Sequence, residues 1–221
     1  MHTYAKGIEK KFEELAHEEK AVGAKAYMRD QFEHYGIPAP LRRSTAKEYL
    51  KKQLPPYAEL PAIVKELWKH PYREMQYFAS ELILALKKQW QPELIELLEY
   101  MITHKSWWDT VDKIASENVA PFFLLFPDKM RPVTKKWNHS PDIWLQRTSI
   151  IFQNPYKQKT EDGLLSEYIL HCAHSKEFFI QKGIGWALRE YSKTNAAWVK
   201  KFVAAHELAP LSKREALKRI N

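Results

Sequence analysis

Serine recurs at apparent helix starts with a spacing that few folds accommodate. Ser106, Ser140, Ser175 and Ser212 are separated by 34, 35 and 37 residues, and each interval holds two stretches with helical apolar periodicity. His70-Pro71 opens a similar stretch 36 residues before Ser106. The periodicity predicts helices over 58–69, 72–88, 92–104, 107–115, 117–126, 128–137, 142–153, 162–173, 176–191, 195–206 and 212–220. Before these, Ile8, Phe12 and Leu15 mark one apolar stripe, and Ala26, Met28 and Phe32 suggest a second. Gly36-Ile37-Pro38-Ala39-Pro40 interrupts the pattern, and a helix is expected from Leu41 to Leu54, ending at Pro55-Pro56. No segment alternates with period two for long enough to make a strand.

A helical pair of this length cannot bury its apolar faces alone, so pairs must stack. The unit is slightly shorter than a HEAT repeat of about 40 residues. The expected fold is therefore all-α: a curved α-solenoid of HEAT-like helical-pair repeats, forming one domain over residues 1–221.

Charge constrains the partner. Lys plus Arg number 35 and Asp plus Glu 27, for a net charge of +8. A chain this basic favours polyanions, nucleic acid first and acidic membrane surfaces second. Aligning the repeats on their serines and counting seven positions on gives Lys113, Arg147, Lys182 and Arg219, all basic. One such register in stacked helices would draw a basic ladder along a groove that tracks a phosphate backbone. The start of the chain, Met1-His2-Thr3-Tyr4-Ala5-Lys6, has no apolar signal region, and no apolar run approaches the roughly 18 residues of a membrane span. A soluble, cytoplasmic monomer is expected. The single cysteine, Cys172, excludes an internal disulfide, and His171-Cys172-Ala173-His174 is a poor ligand set for zinc, so no metal is expected. Only six glycines are present, which argues against phosphate loops; Gly183-Ile184-Gly185 is a fragment inside a helical pattern.

The chemistry is concentrated in Ser106-Trp107-Trp108-Asp109-Thr110-Val111-Asp112. Ser106 is placed to cap a helix, with Asp109 completing the box. Trp108 and Asp112 then share one face, four residues apart. A carboxylate beside a tryptophan suits a cationic, sugar-like transition state. Trp186 is embedded in charge, four residues after Lys182 and three before Arg189, which is unlike a core tryptophan. The plainer readings are that the tryptophans pack the core, that Asp112 is a solvated surface carboxylate, and that Arg147 is a structural ion pair.

Taken together, Lys105 to Asp112, Ile143-Trp144-Leu145-Gln146-Arg147, Ser175 to Lys182, Ile184-Gly185-Trp186, Leu188-Arg189-Glu190-Tyr191 and Leu208 to Ala216 resemble the AlkD family of DNA alkylation repair glycosylases. The likeness is dense from about residue 100 to 220; nearer the start, Tyr27-Met28 and Gly36-Ile37 fit the family's first helices. The resemblance implies HEAT-like pairs around duplex DNA and hydrolysis of the N-glycosidic bond of alkylated purines such as 3-methyladenine and 7-methylguanine. It implies no cofactor or metal, and a damaged base that need not be flipped into a pocket. By this resemblance Trp108, Asp112 and Trp186 are the active-site residues, Arg147 contacts a phosphate, Tyr27 is an accessory aromatic, and Arg189 joins the basic residues facing DNA. Gly183 stands where the family leads one to expect Ala. Two other readings stand beside it: a non-catalytic HEAT-like DNA-binding protein, against which the Trp108–Asp112 pair counts, and a protein-interaction scaffold, against which the net charge counts.

Overall fold

The computed structural model describes residues 2–220, and among them the chain forms fourteen α-helices and no strand. Two compact units divide it, one running up to Gln91 and the other from Pro92.

The first unit holds α1 (Thr3–Glu13), α2 (Glu18–Tyr27), α3 (Ala39–Lys52), α4 (Leu60–Lys69) and α5 (Arg73–Ala85). In α4, Leu60, Ile63, Val64, Leu67 and Trp68 recur at helical spacing, and each is at most 1% exposed. That stripe goes entirely under, and each side chain contributes about 1.5–3 kcal/mol. Pro61 sits in the first turn, where its missing N–H has no intrahelical partner to lose. Ile8 and Phe12 are fully buried on α1, as their spacing predicts. The second expected stripe is corrected. No residue of α2 is buried, the helix stops at Tyr27, and Phe32 lies beyond a turn in which Arg29 and Asp30 have φ of 55° and 57°. Ala26, Met28 and Phe32 are two and four residues apart, which no single helix face provides.

The second unit holds α6 (Leu94–Thr103), α7 (Trp108–Ile114), α8 (Ala120–Leu125), α9 (Pro127–Asn138), α10 (Ile143–Ile151), α11 (Asp162–Cys172), α12 (Phe178–Ser192), α13 (Ala196–Ala205) and α14 (Pro210–Leu217). Packing runs from α7 to α10, then α12, then α14, while α6 backs α7 and α10, α9 backs α10, and α13 backs α12 and α14. This is the stacked-pair arrangement expected from the repeat spacing. No described helix is long and apolar enough to cross a membrane.

Two expectations change in detail. The break anticipated between 115 and 117 is a π-helical turn, Ala115–Val119, that joins α7 to α8. Pro121 has no N–H to donate to the Glu117 carbonyl and its ring crowds that group, so the ladder widens just ahead of it. The serines, moreover, are not the caps. The N-caps of α7, α10, α12 and α14 are Trp107, Asp142, Glu177 and Ala209. Ser106 instead donates back to the Ile102 carbonyl, and Ser212 lies inside α14 and donates to the Gln181 carbonyl. Counted by helix start, α5, α7, α10 and α12 begin at Arg73, Trp108, Ile143 and Phe178, a constant interval of 35 residues.

Candidate functional site

The helix register decides which side chains meet. Asp112, Arg147 and Lys182 are each the fifth residue of their helices, α7, α10 and α12, and these helices are successive neighbours. Equivalent positions on adjacent helices face one another, so Asp112 and Arg147 form a two-point ion pair. Arg147 donates from Nε to Asp112 Oδ1 at 2.7 Å and from Nη2 to Oδ2 at 2.8 Å. Its Nη1 donates to the Phe179 carbonyl, and the guanidinium lies 5.9 Å from the Trp186 ring centroid. Arg147 thereby links the carboxylate of α7 to the tryptophan of α12.

Arg147 is only 4% exposed, and these bonds engage three of the five N–H groups a guanidinium carries. The Asp112 side chain keeps 19% of its surface open. Burial pushes the Asp112 carboxyl above the usual carboxylate range, and the Arg147 charge acts in the opposite direction. Planar fork geometry makes arginine, rather than lysine, the residue that can hold both oxygens at once.

The tryptophans divide into two groups. Trp68, Trp90 and Trp137 are core, whereas Trp107, Trp108, Trp144, Trp186 and Trp198 are half-buried. Trp108 precedes Asp112 by one turn on α7. Just before this layer, Trp107, Trp144 and Phe179 form an aromatic cluster with centroid separations of 5.9, 5.2 and 4.9 Å, tying together the first turns of α7, α10 and α12. Phe179 belongs to the site through its backbone carbonyl, which holds Arg147 and carries no sequence signal.

The basic ladder is revised in register. In α7 the rung equivalent to Arg147 is Asp112, and Lys113, one position on, pairs with Glu117. Lys182 donates to Glu215 of α14 at 2.9 Å, and Arg189 donates to the same carboxylate at 2.6 Å. Arg219 lies beyond the end of α14 and is exposed. The equivalent positions on α7, α10 and α12 are thus Asp112, Arg147 and Lys182 rather than a run of cations, and Lys182 in turn pairs with Glu215; serine-to-residue counting is one place off in the first repeat, and Ser212 lies inside α14 instead of before it. Tyr27 ends α2 in the first unit, 70% exposed, beside a cavity of about 550 Å³ that Met28, Ile37, Arg42 and Tyr77 also line. Cys172 is buried, which pushes its thiol up to about 11, and His171 stacks on His139 at 4.0 Å.

The two glycines of α12 have structural reasons. A Cβ at Gly183 would lie 3.1 Å from Arg147 Nη1, and one at Gly185 would lie 2.4 Å from the Glu215 Cβ. Gly183→Ala gains about 1 kcal/mol of helix propensity but presses on a guanidinium held by three bonds. The expected outcome is a melting temperature close to wild type, the gain in propensity offset by strain at the guanidinium. A melting curve beside that of the wild type checks it; a gain of the full helix propensity would mean that Arg147 yields without strain.

Comparison with known proteins places the chain. The model of the DNA alkylation repair enzyme family matches residues 8–220. A predicted DNA alkylation repair enzyme from Enterococcus faecalis has a structure similar to this one, with TM-score 0.87 and 32% identity, covering 93% of this chain and 96% of that one. AlkD2 from Streptococcus mutans is similar in fold, with TM-score 0.63 and 15% identity over 81% of this chain and 89% of that one. None of the curated proteins compared by sequence matches the chain. The chain belongs to the DNA alkylation repair enzyme family.

Proposed function

We propose that this protein is a DNA glycosylase that hydrolyses the N-glycosidic bond of cationic alkylated purines, 3-methyladenine and 7-methylguanine among them, in duplex DNA, acting as a cytoplasmic monomer at the start of base excision. The observation that carries this reading is a carboxylate held by two bonds in one orientation, with part of its surface open, beside half-buried tryptophans.

A purine alkylated on a ring nitrogen is already positively charged. When its bond to C1′ breaks, the electron pair neutralises the base, so the leaving group needs no proton from the enzyme. Positive charge then develops on the deoxyribose. Asp112 stabilises it electrostatically and orients the water that adds to C1′, as carboxylates do for oxocarbenium-like states. The water's proton passes to Asp112 or to solvent. Trp108 and Trp186 offer ring faces that hold the sugar and attract developing cationic charge. Arg147, committed to Asp112 and Phe179, positions the carboxylate; of the phosphate contact the family resemblance assigns to it, only its remaining N–H groups are available. The accessory part of Tyr27 and the DNA contacts of Lys113, Lys182, Arg189 and Arg219 belong to the same proposal.

The test is release of free base from defined duplexes. Duplex carrying 7-methylguanine should yield the free methylated base, while duplexes carrying uracil or hypoxanthine, neutral bases that need protonation to leave, should stay intact. Efficient excision of a neutral base would reveal a general acid and refute this mechanism. Binding of duplex DNA with no release of any methylated base would favour the non-catalytic DNA-binding reading.

A further inference from the structure

Glu215 is 4% exposed and receives three cations. Its Oε1 accepts from Lys182 Nζ at 2.9 Å and from Lys218 Nζ at 2.7 Å, and its Oε2 accepts from Arg189 Nη1 at 2.6 Å. Three cations around one carboxylate leave a surplus charge of +2 at one place on the surface of α12 and α14. The surplus faces outward. The Lys182 and Lys218 side chains are 36% and 51% exposed while their shared carboxylate is sealed beneath them. Each ammonium has three N–H donors and gives one of them to Glu215. Close helix approach makes the seat: with no Cβ at Gly185, the Glu215 Cβ settles directly against α12. Lys218 and Lys182 hold the Glu215 carboxyl down at about 2, so the hub stays ionised across the physiological range.

We propose that Lys182, Arg189 and Lys218 form a phosphodiester-binding cradle and that Glu215 is its positioning residue. Free lysines lose rotamer entropy when a ligand immobilises them, and a buried carboxylate that already holds their ammonium groups removes part of that cost before DNA arrives. The cradle needs no base contact, so its ligand is the backbone of any duplex, damaged or not. It rests on the DNA-repair reading of the chain but not on the chemistry assigned to Asp112.

The proposal makes a prediction opposite in sign to simple charge counting. Glu215→Gln removes a negative charge, which by long-range electrostatics alone should tighten DNA binding. Positioning predicts weaker binding to undamaged duplex, by roughly 2- to 10-fold, the cost of immobilising one or two long side chains. Lys182→Met and Lys218→Met should each reduce the slope of log affinity against log salt by about 1. Anisotropy titrations with an undamaged duplex at several salt concentrations read both, and melting curves confirm that each variant is folded. In excision assays run at several protein concentrations, the half-saturating concentration should rise in all three. Tighter or unchanged binding by a folded Glu215→Gln overturns the positioning role. If that variant does not fold, the two lysine variants decide alone, and unchanged slopes in both overturn the cradle. Weakened binding with the reduced salt slopes supports it, and a cradle that behaves as expected in a protein releasing no methylated base would refute the excision reading only.

Discussion

Asp112→Asn is expected to slow release of 7-methylguanine from duplex DNA by about 10- to 1000-fold, the range for removing one electrostatic group from a transition state. Shape is retained and charge is lost, so the effect isolates stabilisation of the sugar cation. The pairing with Arg147 adds a consequence for folding. A guanidinium that is 5% exposed at its side chain would lose its counter-charge, and removing one partner of a buried pair costs up to about 3–5 kcal/mol; the open part of Asp112 lets solvent reduce that figure. Melting temperature should therefore fall with the rate. Combining Asp112→Asn with Arg147→Gln removes the stranded charge and should recover stability without recovering excision. Single-turnover measurements at a temperature where every variant is folded separate the two losses. Asp109→Asn serves as the control and should leave the rate near wild type. A folded Asp112→Asn enzyme with a wild-type rate would defeat the catalytic assignment.

Arg147→Gln alone should also destabilise the protein, and it should carry a distinct pH signature. It strands a buried carboxylate, and the expected loss is about 3–5 kcal/mol before allowance for the exposed part of Asp112. The carboxylate acts in its ionised form, so the rate falls where it gains a proton. Burial already pushes the Asp112 carboxyl upward, and Arg147 opposes that rise. In the wild type the acid limb of the pH–rate profile should thus lie above the ordinary carboxylate value of about 4. Without Arg147 the opposing influence is gone, the limb moves to higher pH, and part of the activity returns as pH is raised. A profile that keeps its wild-type position would show that Arg147 does not govern the charge state of Asp112.

Most of the helix order is legible in the amino-acid sequence, because apolar periodicity and proline positions report local physics. The helical stripe of α4 and the stop at Pro55-Pro56 are of this kind. Boundaries are harder. The turn after Tyr27 depends on left-handed backbone at Arg29 and Asp30, two residues whose side chains do not demand it. The π turn before Pro121 keeps a helix going where proline suggests a break. The site is half legible. Trp108 and Asp112 share a face by spacing alone, but the partner of Asp112 depends on register between helices, and serine is an unreliable ruler because only helix starts carry that register. Glu215 is hidden in the sequence for the same reason. Its role comes from Gly185, thirty residues earlier in sequence, and the signal lies in the pair Gly183 and Gly185. Two glycines inside one helix, each weakening it, mark two places where another residue must come close.

The constant 35-residue interval has a kinetic side. The Asp112–Arg147 rung closes 35 residues and the Lys182–Glu215 rung closes 33. Loop-closure entropy grows only with the logarithm of length, so both rungs form at nearly the same entropic cost. Neither end of the second unit is then favoured as a starting point, and each helix that docks presents its neighbour with the same short search as the one before. Folding of this unit should therefore advance rung by rung from wherever it begins, like a zipper whose teeth are evenly cut.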